Sequence, residues 1–402
     1  MAEFSQPTAA KEKYKAAGIV VAVLVLIVVG YYAAEGLCGQ AMTKEPAAEP
    51  AAEPKVEEPQ AGSQTSAEAA PDRGRSYLRA PLRHARSGAG TVECNGRMYV
   101  IGGFQYNPVA WLDSVESYDP ASNSWREETP MPTPRANVAC ATYRDEIYVF
   151  GGTSANCGPE KLATVEVYNT RTHTWRSGPA LPKSRVGATA VTVDDKIYVI
   201  GGQTAYSLFC RVDVFDVSSG LWTRGPDLSA TRCYAAAATL AGRVVVMGGE
   251  SQTPERNAKG QPGLIYDQVE ILEPGATAWR TGAPLPVPCS TATATVLDNV
   301  IYLFGGYGTN GQMHYRHVFA GDGDQWQTMA PLQMSRAYAG AATVDGRIFV
   351  AGGAAGPYPS QRAEMEEYDP TAAAVPVADA GDPAAGDAAE GRAGDGDGQV
   401  VL

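Results

Sequence analysis

Five arginines stand at one fixed distance from five glycine pairs. Arg86, Arg135, Arg185, Arg232 and Arg336 each precede the first glycine of a Gly-Gly by sixteen residues, and Cys289 holds the sixth such position. A guanidinium is a planar fork of donors that grips a carboxylate through two hydrogen bonds and stacks on aromatic rings. A bowl of such groups, rimmed by aromatics, suits an acidic peptide or an acidic sugar. The same arginines have a structural alternative, in which each pairs with the backbone or a carboxylate of a neighbouring repeat. Two positions beyond each come Gly88, Asn137, Gly187, Tyr234, Thr291 and Tyr338. The segments after the glycine pairs add Phe104, Tyr106, Trp111, Tyr206, Phe209, Tyr266, Tyr307, Tyr315 and Tyr358. The candidate binding set is therefore Arg86, Arg135, Asn137, Arg185, Arg232, Tyr234, Arg336 and Tyr338, with Tyr106, Tyr206 and Tyr307.

Other chemistry is thinly represented. The four histidines are His84, His173, His314 and His317. His314 and His317 share a segment with Tyr307 and Tyr315, a spacing that can chelate a metal, but no third ligand is evident. No cofactor is expected. Seven cysteines are present and none forms a C-x-x-C pair, which argues against zinc and thioredoxin-like sites. Cys157 and Cys210 fall in corresponding segments of adjacent repeats and are a possible disulfide in an oxidising compartment. No nucleophile elbow, phosphate loop or dinucleotide fingerprint occurs. No basic run points to nucleic acid. These absences favour binding over catalysis.

The elements that must position these residues repeat about every 50 residues, the period of one class of propeller repeat. Glycine pairs fall at Gly102-Gly103, Gly151-Gly152, Gly201-Gly202, Gly248-Gly249, Gly305-Gly306 and Gly352-Gly353. Trp125, Trp175, Trp222, Trp279 and Trp326 each stand ten residues before an Arg or Cys289. Each unit reads as four strands. A small-residue strand such as Ala188–Val193 suits crowding around an axis. Turns such as Asn95-Gly96 and Asp345-Gly346 tolerate the positive φ of tight hairpins. A second strand of the type Tyr198-Val199-Ile200 runs into the glycine pair, and a third strand such as Val165–Tyr168 precedes the Trp-bearing fourth. Both the fourth-to-first and the second-to-third connections emerge on one face.

Tyr198 to Gly202, Val165 to Asn169, and Trp175-x₅-Leu181-Pro182-x-x-Arg185 resemble kelch repeats. The resemblance covers residues 75–370. It implies an all-β, six-bladed propeller of four-stranded blades, with basic and polar loop residues as the contact region in members that bind acidic peptides. Repeat five departs from the pattern with Cys289 for Arg and Arg316 where the third-strand Val is due. Repeat six has Val375 where Trp is due. Ser76 lies ten residues before Arg86, so residues 75–79 are expected to complete the sixth blade, against an alternative strand at 372–378. Repeat four has the longest loop, Ser251 to Asp267, as a lip over the pocket. Some kelch propellers resemble sialic-acid mutarotases, for which Arg135, Arg185 and Glu250 would supply the Arg and carboxylate. A copper enzyme like galactose oxidase is a further alternative.

The flanks read differently. Residues 16–34 carry no charge and follow Lys11, Lys13 and Lys15. Nineteen residues at ~1.5 Å each span about 28 Å, a bilayer's hydrocarbon thickness. The basic side is expected to stay cytosolic, so residues 1–15 form a short cytosolic N-terminus and the rest is translocated, a type II signal-anchor, against the alternatives of a signal peptide cleaved near Ala34-Glu35-Gly36 and of the reversed topology. Residues 35–72 are an acidic Pro/Ala/Glu stalk and residues 371–402 an acidic disordered tail. These flanks carry most of the net charge of −12. The propeller is placed at 73–370, displayed from a membrane toward a protein, an acidic peptide or an acidic glycan.

Overall fold

The computed structural model describes residues 73–155, 161–251, 264–308, 314–355 and 360–373. Their regular structure is all strand. The anchor at 16–34, the stalk, most of the tail, Cys157 and Tyr358 lie outside the described residues. Among the described residues no helix is long and apolar enough to cross a membrane.

Six four-stranded antiparallel sheets form the blades. Their innermost strands are Gly90–Cys94, Ala139–Tyr143, Thr189–Val193, Ala236–Leu240, Thr293–Leu297 and Gly340–Val344. Each adjoins the next, and Gly340–Val344 returns to Gly90–Cys94, so the ring is closed. Side chains such as Ala236, Ala237 and Ala238 let these strands converge on the axis. The second strands lie between neighbouring blades and read as continuous apolar runs. Met98 to Ile101 and Val244 to Met247 are almost wholly buried. At the inner hairpins Asn95 and Gly96 have φ of 51° and 72°, and Asp345 and Gly346 have 49° and 70°. Both central residues are left-handed, as a two-residue hairpin that matches strand twist requires.

The N-terminal strand Arg73–Arg79 closes the sixth blade by pairing with Met365–Ala373. Ser76 faces Tyr368, as Trp125 faces Tyr118 in the first blade. The expected register therefore holds, with Ser76 in the Trp place. Gly74 matters here, because a Cβ on it would strike the Tyr368 ring. Tyr368 itself donates to Ala330 O at 2.8 Å. The alternative closing strand at 372–378 is set aside, because Ala372 and Ala373 continue the third strand. That strand also carries the blade past the boundary expected at 370.

One further expectation is corrected. The third strand of blade five is Val318–Gly321, so Val318 takes the Val place and Arg316 lies before the strand.

The glycine pairs join blades. In each pair the first glycine has φ of 61–65°. A Cβ on Gly102 would come 2.5 Å from the carbonyl oxygen of Arg135 in the next blade. The second glycine then donates its N–H to that carbonyl, as Gly103 does to Arg135 O and Gly353 to Arg86 O, both at 2.9 Å. Only glycine meets both the conformation and the approach. The tryptophans fasten five of the six blades to their entry segments. Trp125 Nε1 donates to Ala80 O at 2.8 Å, and Trp175, Trp222, Trp279 and Trp326 make the equivalent bond.

Candidate functional site at the loop face

The expected face is formed. Paired backbone bridges join the residue after each Arg or Cys289 to the residue after a glycine pair, as in Ser87 with Phe104, Cys233 with Glu250 and Ser290 with Tyr307. Both sets of connections therefore share one end of the ring.

The arginines do not reach that surface. Arg86, Arg135, Arg185, Arg232 and Arg336 are at most 1% exposed. Their partners are Glu116, Glu166, Asp213, Glu270 and Glu366, all on third strands. Arg135 shows the pattern. Its Nη1 donates to Gly151 O and Thr164 O at 3.1 Å, and its Nη2 to Glu166 Oε2 at 3.0 Å. Burial pulls each guanidinium below the usual arginine value, and the adjacent carboxylate opposes that fall. The binding role read for these five arginines is therefore replaced by a structural one, in which the carboxylate comes from the arginine's own repeat rather than from the neighbouring repeat expected. The mutarotase-like pairing of Arg135 or Arg185 with Glu250 goes with it, since both guanidiniums are held by Glu166 and Asp213.

Blade five supplies an internal control. Cys289 stands in the Arg place, and Phe319 stands where the other third strands carry the acid. Both are buried in one apolar cluster. The two halves of the ion pair are exchanged together for apolar groups, so no buried charge is left alone. The third-strand acids are the residues that sequence reasoning missed. Their joint replacement in repeat five is the signal that would have found them.

What faces the axis is the position two beyond each arginine. Gly88, Asn137, Gly187, Tyr234, Thr291 and Tyr338 all have φ between 53° and 64°. Their backbones form a closed circle. Asn137 N donates to Gly88 O at 2.6 Å, Gly187 N to Asn137 O at 3.2 Å and Tyr234 N to Gly187 O at 2.7 Å. Thr291 N then donates to Tyr234 O at 2.9 Å, Tyr338 N to Thr291 O at 3.1 Å and Gly88 N to Tyr338 O at 3.0 Å. A β-branched Thr and two Tyr in the left-handed region cost on the order of 1–3 kcal/mol each. The circle holds them there. A cavity of about 200 Å³ along the axis is lined by this circle and the inner strands.

Outside the circle lies a second ring, the residues that follow the glycine pairs: Phe104, Thr153, Gln203, Glu250, Tyr307 and Ala354. Tyr307 donates its hydroxyl to Glu250 Oε2. Tyr338 packs on Tyr307 at 6.4 Å and meets Tyr234 edge-on at 5.6 Å. Burial, then the Glu250 charge, pushes the Tyr307 phenol far above its usual value. On the other side of Tyr338 a cavity of about 220 Å³ is lined by Ser87, Phe104, Trp111, Asn137 and Thr153. Of the expected set, Asn137, Tyr234, Tyr307 and Tyr338 are thus gathered at the mouth. Tyr106 stands on the blade-one loop, its N–H bound to Gln361 Oε1 at 2.6 Å. Tyr206 stands on the blade-three loop and is 76% exposed. The blade-four loop leaves the mouth as a short hairpin, Glu250–Ser251 with Leu264–Ile265; its expected lip at 252–263 lies outside the described residues.

The Attractin/LZTR1 β-propeller profile matches residues 98–361, about two thirds of the chain. The chain belongs to the kelch-repeat β-propeller family. Among kelch relatives, the mouse Influenza virus NS1A-binding protein homolog is 38% identical over 98 residues, 24% of this chain and 15% of that protein. Human Kelch-like protein 33 is 44% identical over 73 residues, 18% of this chain and 13% of that protein. The matched stretch is thus about a seventh of the length of these relatives. The solved structure titled Structure of YjhT superposes with a TM-score of 0.61 at 17% identity, covering 71% of this chain and 96% of that one, a likeness of fold.

For this kelch propeller the histidines take no part in the mouth's ring geometry. Burial lowers His314 and His317, and His317 stacks on Tyr315 at 4.6 Å. Among the described residues no three His, Cys, Asp or Glu side chains are grouped as a metal site.

Proposed function

We propose that this kelch propeller is a recognition module that binds a protein partner through its loop face. One observation carries the reading. Of the five exposed large apolar residues among those described, Val109, Tyr206 and Leu264 all stand on second-to-third loops of that face. Isolated exposed apolar residues need no explanation, but a set on the crests of one face marks a contact surface. Phe104 and Trp111 add an aromatic floor beside them. The relative's printed name, NS1A-binding protein, is itself that of a protein binder.

The test places a photo-crosslinking residue at Tyr206 of the full chain, and in a second chain at Thr172, an exposed turn on the opposite face. A crosslinked partner from Tyr206 alone, lost on Val109→Glu, is the expected result. Equal crosslinking from both faces refutes the reading. The display geometry is proposed with it. Residues 16–34 anchor the chain and the propeller faces away from the cytosol. Protease protection of a C-terminal tag in sealed vesicles is expected, and digestion from the cytosolic side reverses the orientation.

A further inference from the structure

We propose that the mouth of the ring receives a basic side chain of the partner, set beside an apolar one. The inference rests on the loop-face reading above and names its chemistry. The two rings framing the axis contain one charged residue, Glu250. The arginines that would have made the mouth cationic are buried below it and held by third-strand acids. The described basic side chains on the neighbouring second-to-third loops are Lys161, Arg211, Arg316 and Arg362; Arg211 is bound to Asp213, and Arg362 donates to Ser335 O at 3.0 Å. The charge carried by the two rings themselves is thus opposite in sign to that expected from the arginine count.

Glu250 is fixed rather than loose. Its backbone is bridged in both directions to Cys233, at 3.0 and 2.9 Å, and its side chain accepts the Tyr307 hydroxyl. Tyr307, Tyr338 and Tyr234 form a connected set of rings against it. A ring face carries partial negative charge and attracts an ammonium or guanidinium within about 6 Å. A carboxylate bonded to one of those phenols strengthens the field. Tyr338 is shared between the axial cavity and the pocket floored by Phe104 and Trp111. That pocket offers aromatic surface with Ser87, Asn137 and Thr153 as hydrogen-bonding groups. A segment with Lys or Arg next to an aromatic or aliphatic residue fills both halves.

The experiment pans a random short-peptide phage library on the full chain in detergent micelles and measures Kd for synthetic copies of the winners. Peptides joining Lys or Arg to an apolar residue are expected. Glu250→Gln weakens them by about tenfold or more. Its amide oxygen still accepts from Tyr307, and its melting temperature is measured beside Kd so that a loss of fold is told apart from a loss of binding. Tyr338→Leu, which removes the shared ring face, weakens the same peptides. Enrichment of acidic peptides, or basic peptides indifferent to Glu250→Gln, overturns the inference. The loop-face reading survives that result if Tyr206→Glu abolishes their binding. No enrichment overturns the inference, and no crosslink from Tyr206 as well overturns both.

Discussion

Replacing Arg135 by Met leaves the Glu166 carboxylate buried without its counter-charge. Glu166 retains the Thr133 hydroxyl at 2.7 Å, a single neutral donor. The carbonyl of Gly151 loses the guanidinium donor as well, while that of Thr164 keeps the Gly151 N–H at 2.9 Å. Breaking a buried ion pair from one side costs about 3–5 kcal/mol. A propeller of roughly 300 residues has an unfolding entropy near 0.6 kcal/mol/K, so the melting temperature should fall by about 5–8 °C. The double variant Arg135→Met with Glu166→Leu removes both charges, as blade five does with Cys289 and Phe319. It should regain most of the loss, with a coupling of about 2–4 kcal/mol. Thermal unfolding of wild type, both single variants and the double variant closes the cycle. A single-variant shift under about 1 °C, or a double variant no more stable than either single, refutes the structural assignment of the arginines.

Three further outcomes follow from the same geometry. Deleting residues 73–79 opens the ring, because Arg73–Arg79 is the outer strand of blade six; scanning calorimetry should show a large fall in melting temperature and lost cooperativity. Gly187→Ala adds a Cβ that would lie 2.7 Å from the Tyr234 ring at a φ of 64° and should lower the melting temperature, with Tyr234→Ala relieving the steric part. Burial pushes the thiol of Cys94 up to about 11 and those of Cys140 and Cys289 to about 12. The native state holds these protons after the unfolded chain has begun to release them near pH 9. Stability from this source is complete below about pH 9 and is lost as pH rises toward 11–12. Melting temperatures across pH 8–12 check the sign, and an increase over that range contradicts it.

Local patterns made the fold legible in advance. The glycine pairs, the Trp spacing and the small-residue strands each state a requirement of one blade, and six copies of a blade close a ring. Even the closing strand was visible, since Ser76 keeps the spacing of the missing Trp. The third strand of blade five was misplaced, because its loop carries Arg316 near where the pattern sought a Val. The site was less legible for a physical reason. A repeated Arg announces a repeated requirement, but not whether solvent or a buried acid meets it. The acid lies 28–38 residues away on another strand, with spacing that varies with loop length, so it shows no fixed offset.

Repeat five resolves that ambiguity. A binding arginine that is dropped from one blade leaves its surroundings polar, because its partner was a ligand. A structural arginine cannot be dropped alone, since its carboxylate would then sit uncompensated in the core at a cost of several kcal/mol. Blade five changes both, to Cys289 and Phe319, and the two pack into one hydrophobic cluster. The mouth obeys the opposite logic. Gly88, Asn137, Gly187, Tyr234, Thr291 and Tyr338 share one backbone conformation and one hydrogen-bonded circle, yet they comprise four different residue types. Four of the six are not glycine although the conformation favours it. The backbone requirement is common to all blades, and the side chains vary on top of it. That variation, rather than the constant arginines, carries the asymmetry a partner can read.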